Sequence, residues 1–247
     1  MTRLASLLEI RSFVRADHLL LNGEQTPDLT FGIETFDSIL TLNFGQFVVF
    51  QGKTAHALSM LLCVRAMLPQ PLGPNCDVIF IDGGNNFDPY AISDNSVEQG
   101  LDSKKVLEQL HISRAFTHHQ LACIIIDKLP SAIEEFKAKL VVVSDITSLY
   151  CDPDVRDDDK DDSLQIFSKS VHKLRTLARQ HHCLIVATNL ERRNPQMERS
   201  LGYASHVTVK IEQKSCLTRF TLLKHPHLQS RTAIAAIPGV KVLESYM

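Results

Sequence analysis

Between Leu42 and Leu62 the chain reads LNFGQFVVFQGKTAHALSMLL, an apolar strand that turns through Gly52-Lys53-Thr54 directly into a helical stretch. That arrangement brings a cation, free backbone N–H groups and the positive end of a helix dipole to one point, which is the chemistry of phosphate binding. The complete phosphate loop, G-x-x-x-x-G-K-[ST], is long enough for its amides to wrap a phosphate before the helix takes over. Here the first glycine position is Phe47, and Val48, Val49, Phe50 and Gln51 fill the interval up to Gly52. The strand runs almost straight into the turn, so the site has the right address and a shortened cradle.

With 247 residues, 44% hydrophobic and 22% charged, the chain is long enough for one sizeable core and ordinary in composition for a globular protein. The formal net charge of −2 means that any nucleic-acid contact must come from a local patch. The cysteines (Cys63, Cys76, Cys123, Cys151, Cys183, Cys216) form no C-x-x-C and no zinc-like spacing. Reduced thiols, a cytoplasmic or nuclear setting and no structural metal are therefore expected. No basic start leads into an apolar targeting segment, and no apolar run is long enough to span a bilayer, so neither secretion nor a membrane is expected.

Read in order, residues 1–12 place Leu4, Leu7, Leu8 and Ile10 near one helical face, and a polar linker follows at Asn22 to Asp28. Residues 1–29 are expected to form an N-terminal helix and linker, and residues 30–247 one core domain. A short helix is expected around Phe36 to Leu40, a strand at Gln46 to Phe50, and a helix from Ala55 that stops at Pro69. Further strands are expected at Val78 to Asp82, Leu110 to Ala115, Leu140 to Ser144 and Leu184 to Thr188. Between them lie a helix over Thr117 to Leu129 ended by Pro130, a second opened by a capping box at Ser131 to Glu134, and a long one over Leu164 to His181. Apolar strands without alternation, separated by helices, imply a mostly parallel central sheet covered on both faces. Beyond Gly202 three strand-like runs follow without helices, which reads as an antiparallel C-terminal extension.

Several stretches together resemble the RecA-type ATPase core of the RadA-like recombinases, the archaeal and eukaryotic strand-exchange proteins and their paralogues. Thr30 to Leu40 looks like the segment leading into the core, and Gly45 to Thr54 occupies the phosphate loop. Phe80 to Pro89 (FIDGGNNFDP) is similar to the family's I-D-T-E-G-T-F-R-P, and Arg114 to Gln120 to its A-R-A-F-x-x-x-H-Q. Leu140 to Tyr150 resembles the Walker B strand, and Ala187-Thr188-Asn189 the T-N at the end of the next strand. The resemblance implies an α/β fold, a RecA-like P-loop NTPase core. It also implies a role for Phe13-x-x-Ala16, which stands 19 residues before Gly32 where the family carries a motif that docks into a neighbouring protomer. An aromatic anchor and a small residue suit that task; the alternative is packing of Phe13 on its own domain. Of the family's N-terminal helix-hairpin-helix domain, residues 1–12 are expected to match only the last helix.

The departures bear on chemistry. The family's water-orienting glutamate falls on Gly84, its Walker B aspartate on Ser144, and its phosphate-sensing glutamine on Leu190. Asp145 follows Ser144 and points to the opposite face if the strand persists. With the short loop, the phosphoryl-transfer apparatus lacks four parts, and no useful ATPase is expected. Gly52, Lys53 and Thr54 are the candidate nucleotide-binding residues, with ATP and Mg²⁺ as the ligand if the short loop still works; the other reading is a solvated remnant. Asp82 either binds a metal or caps the following Gly83-Gly84 turn.

The resemblance implies two loops that face DNA, the first within Cys151 to Ser163 and the second over Glu191 to Tyr203. Asp152 to Asp162 carries seven aspartates against Arg156 and Lys160, a net of −5, and repels phosphate. Glu191 to Tyr203 carries Arg192, Arg193 and Arg199, the candidate DNA-binding residues, with Lys210, Lys214, Arg219 and Lys224 on neighbouring strands. The adjacent histidine pairs diverge on a helix and suit no shared metal. The resulting expectation is a non-catalytic paralogue that docks onto a RadA-like recombinase or sister paralogue through Phe13 and Ala16, or through the matching pocket on its own core, with weak binding of single- or double-stranded DNA. The alternatives are a slow ATPase completed by a partner subunit and a scaffold with neither affinity.

Overall fold

The structure, a computed structural model, describes residues 28–151, 160–190, 194–214 and 217–236, excepting the side chains of residues 160 and 161. The expected helix over 1–12, Phe13, Ala16, Arg192, Arg193 and most of the acidic loop lie outside the described residues.

The strands are β1 Phe47–Gln51, β2 Val78–Asp82, β3 Leu110–Arg114, β4 Leu140–Ser144, β5 Leu184–Asn189, β6 Val207–Lys214, β7 Leu217–Lys224 and β8 Thr232–Ala235. They form one sheet in the order β3-β2-β4-β5-β1-β6-β7-β8, parallel from β3 to β6 and antiparallel from β6 to β8. Because successive side chains point to opposite faces, the all-apolar strands feed two cores. Val48 and Phe50 join one, with Leu58 and Leu62; Phe47 and Val49 join the other, with Phe167 and Leu174. Each of these large side chains is fully buried and stabilises the fold by roughly 2–3 kcal/mol on area grounds.

The helices are α1 Glu34–Asp37, α2 Ala55–Met67, α3 Pro89–Glu98, α4 Ser103–Glu108, α5 His118–Cys123, α6 Leu129–Phe136, α7 Lys160–Gln180 and α8 Pro195–Ala204. The first core holds buried residues of α2, α3 and α4, the second those of α5 to α8, so helices cover both faces. None of the described helices is long and apolar enough to cross a membrane. Ahead of β1, the Asp37 carboxylate accepts from the amides of Phe31 (2.8 Å) and Ile33 (3.0 Å). Arg65 of α2 donates to the Thr30 carbonyl (3.1 Å) and hydroxyl (3.0 Å) and to Gln99 Oε1 (3.1 Å), pinning this leading segment to the core.

Several expectations need correction. The first short helix spans Glu34–Asp37 rather than Phe36 to Leu40, because Asp37 folds back on the preceding amides. Pro130 ends no helix. A π-helical turn over Ile124–Lys128 joins α5 to α6 in one continuous run, and Pro130 sits directly after that widened turn. Ser131 donates to the Lys128 carbonyl (2.9 Å) instead of opening a capping box; the N-cap of this helical run is Thr117, which accepts from the Gln120 amide (3.2 Å). The long helix begins at Lys160, ahead of Leu164. Helices α3 and α4 were not anticipated, although Asp88 before Pro89 and Asp102 before Ser103 are sound N-caps.

Candidate functional site

Strand β1 delivers Gly52 at φ +126°, a conformation that L side chains avoid, and a Cβ there would lie 2.0 Å from the Ile211 carbonyl oxygen of β6. Only glycine fits. The Gly52 amide donates to the Asn189 carbonyl (3.0 Å) and the Ala55 amide to the Gly52 carbonyl (3.1 Å), so part of the expected cradle is spent inside the fold. Strand β6 continues past the end of β1, whose Gln51 pairs with Lys210, and brings Gln213 over the turn. The Thr54 hydroxyl donates to Gln213 Oε1 at 3.4 Å, and Thr54 itself is only 6% exposed. Lys53, by contrast, is exposed at the start of a 13-residue helix.

Next to this turn, the ends of β2 and β4 close on each other. Asp82, fully buried, accepts from the amides of Asn86 (3.1 Å) and Phe87 (3.3 Å) and from Arg114 Nε (3.1 Å). Of its two readings, the turn cap is the one this geometry holds. Ser144 Oγ, fully buried, donates to Asn86 Oδ1 (2.8 Å) and lies 3.1 Å from His56 Nδ1. Since the serine proton is committed to Asn86, the His56 Nδ1–H donates to the serine oxygen. Burial pushes the His56 pKa down, against an upward pull from Asn86 and from Asp82, Asp145 and Asp88.

Asp145 does not continue the strand. It takes φ +45°, its amide donates to Thr188 Oγ1 (2.8 Å), and its carbonyl accepts from Ser148. The face alternation expected of a persisting strand therefore does not apply, and Asp145 comes over Gly84. A Cβ at Gly84 would sit 2.9 Å from Asp145 Cβ and 2.9 Å from Asn86 Nδ2; one at Gly83 would sit 2.8 Å from the Ser144 carbonyl. The position of the family's water-orienting glutamate is thus packed shut. A magnesium nucleotide does not fit these groups: the threonine hydroxyl is engaged by Gln213, a serine stands in the metal carboxylate's place, and both Asp82 oxygens hold donors. Among the described residues no group of three or more His, Cys, Asp or Glu side chains is placed to hold a metal ion.

The basic residues separate. Most of the supposed second loop is helix α8, N-capped by Asn194 through the Gln196 amide (2.9 Å), and Arg199 lies exposed on it with Nε donating to the Pro195 carbonyl (3.3 Å). Asn194 before Pro195 was the missed signal. Lys224 sits at the opposite end of the sheet, where its Nζ caps α8 through the carbonyls of Gly202 (2.7 Å) and Ser205 (2.6 Å). It belongs to no patch with Lys214 and Arg219, because antiparallel β7 starts near Lys214 and carries Lys224 away. Lys210 pairs with Glu212 at 2.9 Å.

One margin of the sheet is open. Strand β3 pairs with β2 only, among the described residues, and its outer side shows Ile112 at 47% exposure, followed by Phe116 at 68%. Val97 of α3 and Leu107 of α4 are exposed as well. His111 is held beneath by stacking on Phe136 (3.6 Å between centroids) and by Asp77 (2.8 Å).

A mixed sheet whose central strand meets a helix through Gly-Lys-Thr, with the following strand ends turned toward that helix, defines a RecA-type core. The Rad51 family model matches residues 23–228, and the chain belongs to that family. The DNA repair and recombination protein RadA of Aeropyrum pernix is 27% identical over 219 residues, covering 83% of this chain and 66% of its own length. Meiotic recombination protein DMC1 homolog A of Oryza sativa subsp. japonica is 27% identical over 157 residues, covering 59% of this chain and 44% of its own. The chain therefore spans less than two thirds of the length of these curated relatives.

Proposed function

We propose that this protein acts in homologous recombination or DNA repair as a non-catalytic member of its family, docking onto an active recombinase or a sister paralogue and modulating its assembly. The observation that carries this reading is the closure of the β2 and β4 ends: Ser144 bonds both Asn86 and His56 where an ATPase needs a carboxylate facing metal and water. Two docking modes are compatible with it. Phe13 and Ala16 insert into a partner, or the open β3 edge accepts a partner's extended segment as an added strand, with Ile112 and Phe116 supplying apolar contacts. DNA contact, where it occurs, is a weak electrostatic supplement from Arg192, Arg193, Arg199, Lys214 and Arg219.

A second reading draws support from Lys53, exposed at the N-terminus of α2 where a phosphate is favoured. In that case the chain binds ATP and hydrolyses it slowly with a carboxylate donated by a partner. Equilibrium binding of a fluorescent ATP analogue with Mg²⁺, wild type against Lys53→Ala, separates the two. We expect no binding by either protein; micromolar binding lost in Lys53→Ala overturns the non-catalytic reading. A companion titration against a RadA-type recombinase should lose its signal on Phe13→Ala if the N-terminal motif is the anchor. DNA retention should vanish between low and moderate salt.

A further inference from the structure

A single path of hydrogen bonds links the helix after the Gly-Lys-Thr turn to the open edge of the sheet. His56 of α2 reaches Ser144 at the end of β4 (3.1 Å), and Ser144 reaches Asn86 in the turn after β2 (2.8 Å). The Asn86 amide reaches Asp82 (3.1 Å), and Asp82 holds Arg114 at the end of β3 (3.1 Å). A hydroxyl and a carboxylate as deeply buried as Ser144 and Asp82 are costly unless bonded, and both are bonded more than once. The backbone is shaped to allow it. Gly83 and Gly84 let the end of β4 close to within 3 Å of where side chains would begin, and Asn85 takes φ +51° between them and Asn86. Ser148 Oγ ties the same turn through the Gly83 carbonyl (2.6 Å).

We infer that this path is a built-in strut: the side chains of His56, Ser144 and Asn86 join α2, β4 and the turn after β2. Through Asp82 and Arg114 they fix the end of β3 where Phe116 leaves the sheet. The inference rests on the non-catalytic reading and goes beyond it, because it gives these residues a positive task. The geometry of the docking edge is then set by the chain itself and is the same with and without nucleotide. His56 and Ser144 are positioning residues: neither touches the edge, and both act through Arg114.

The test uses the full chain with Ser144→Ala, which removes the relay hydroxyl, and His56→Ala, whose higher helix propensity leaves any loss to the strut and to the ring's packing on Phe80, the two being told apart by where exchange quickens. Melting and amide hydrogen exchange are read with and without MgATP. We expect the wild-type melting temperature to be unmoved by MgATP and each variant to melt lower, by about 3–6 °C for a domain of this size. Exchange should speed up at least tenfold at Asn86, Phe87 and Arg114 to Phe116, while β5 keeps its protection. If the wild type ignores MgATP but both variants exchange normally at Arg114 to Phe116, the strut is overturned and the non-catalytic reading stands. If MgATP raises the wild-type melting temperature by several degrees and Lys53→Ala abolishes the rise, the non-catalytic reading falls and the strut with it.

Discussion

The carboxyl ends of the central strands and the β3 margin treat polar backbone and side-chain groups in opposite ways. At the centre, the Gly52 amide, the Asp82 carboxylate, the Ser144 hydroxyl and the Asn189 carbonyl find partners inside the chain, while His56 Nε2 and Asn189 Nδ2 are buried without one among the described residues. At the margin, β3 turns an outer side with exposed Ile112 toward solvent. The groups bonded internally have little to offer a ligand, since binding would have to replace bonds already made. An unpaired strand edge offers its hydrogen bonds at no such loss. On the proposed reading, function lies not at the phosphate turn, whose address persists, but on the surfaces that would meet another chain.

The sharpest way to break the closed centre is Gly52→Ala. The added methyl would need φ +126° and would meet the Ile211 carbonyl at 2.0 Å, an atom of strand backbone that cannot swing aside. Left-handed strain and overpacking together should cost about 3 kcal/mol, seen as a lowered denaturant midpoint at an unchanged m-value. A loss under about 1 kcal/mol would mean that β6 yields easily and that the short turn is roomier than its contacts indicate.

Much of this architecture was legible in the residues. Uninterrupted apolar runs such as Leu140 to Ser144 can only be buried on both faces, and the order of the motifs placed them in one parallel sheet. The departures at Gly84 and Ser144 were equally plain. What packs in place of the family's carboxylates was not. Nothing in a one-dimensional pattern says that Asp145 leaves the strand at φ +45°, because that conformation is held in part by Thr188, which bonds the Asp145 amide from 43 residues further along the chain. His56 escaped notice for the same reason: its partners lie on β4 and beyond β2, and only the folded sheet brings them to the first turn of α2. The helices after Asp88, Asp102 and Asn194 were a different failure, since local capping signals were present and overlooked.

Acid should loosen the other end of the molecule. His206 Nδ1 accepts from the Phe47 amide at 2.8 Å, and burial, seconded by Arg175, Arg179 and Lys224, lowers its pKa to about 4. The unfolded chain, near the ordinary value of about 6.5, takes up a proton that the folded one refuses. Stability should accordingly be complete above about pH 6.5 and decline as the pH falls toward about 4. His56, also lowered, adds a loss of the same sign. His206→Asn, which keeps an acceptor without a titrating ring, should flatten part of this decline in melting curves across that window; an unchanged slope would assign it to other groups.

The smallest change in stability is expected at the open margin. Ile112 is 47% exposed, so Ile112→Lys should leave unfolding free energy within about 0.5 kcal/mol of the wild type. A lysine on an edge strand nevertheless opposes strand addition, through its charge and its hydration. If a partner's segment docks on β3, affinity should fall at least tenfold in a titration against a RadA-type recombinase, with Phe13→Ala neutral. If the chain instead inserts its own Phe13, the two results exchange places. A variant pair that both leave binding intact would remove β3 and the N-terminal motif together as docking elements, and with them the contrast between a closed centre and a working edge.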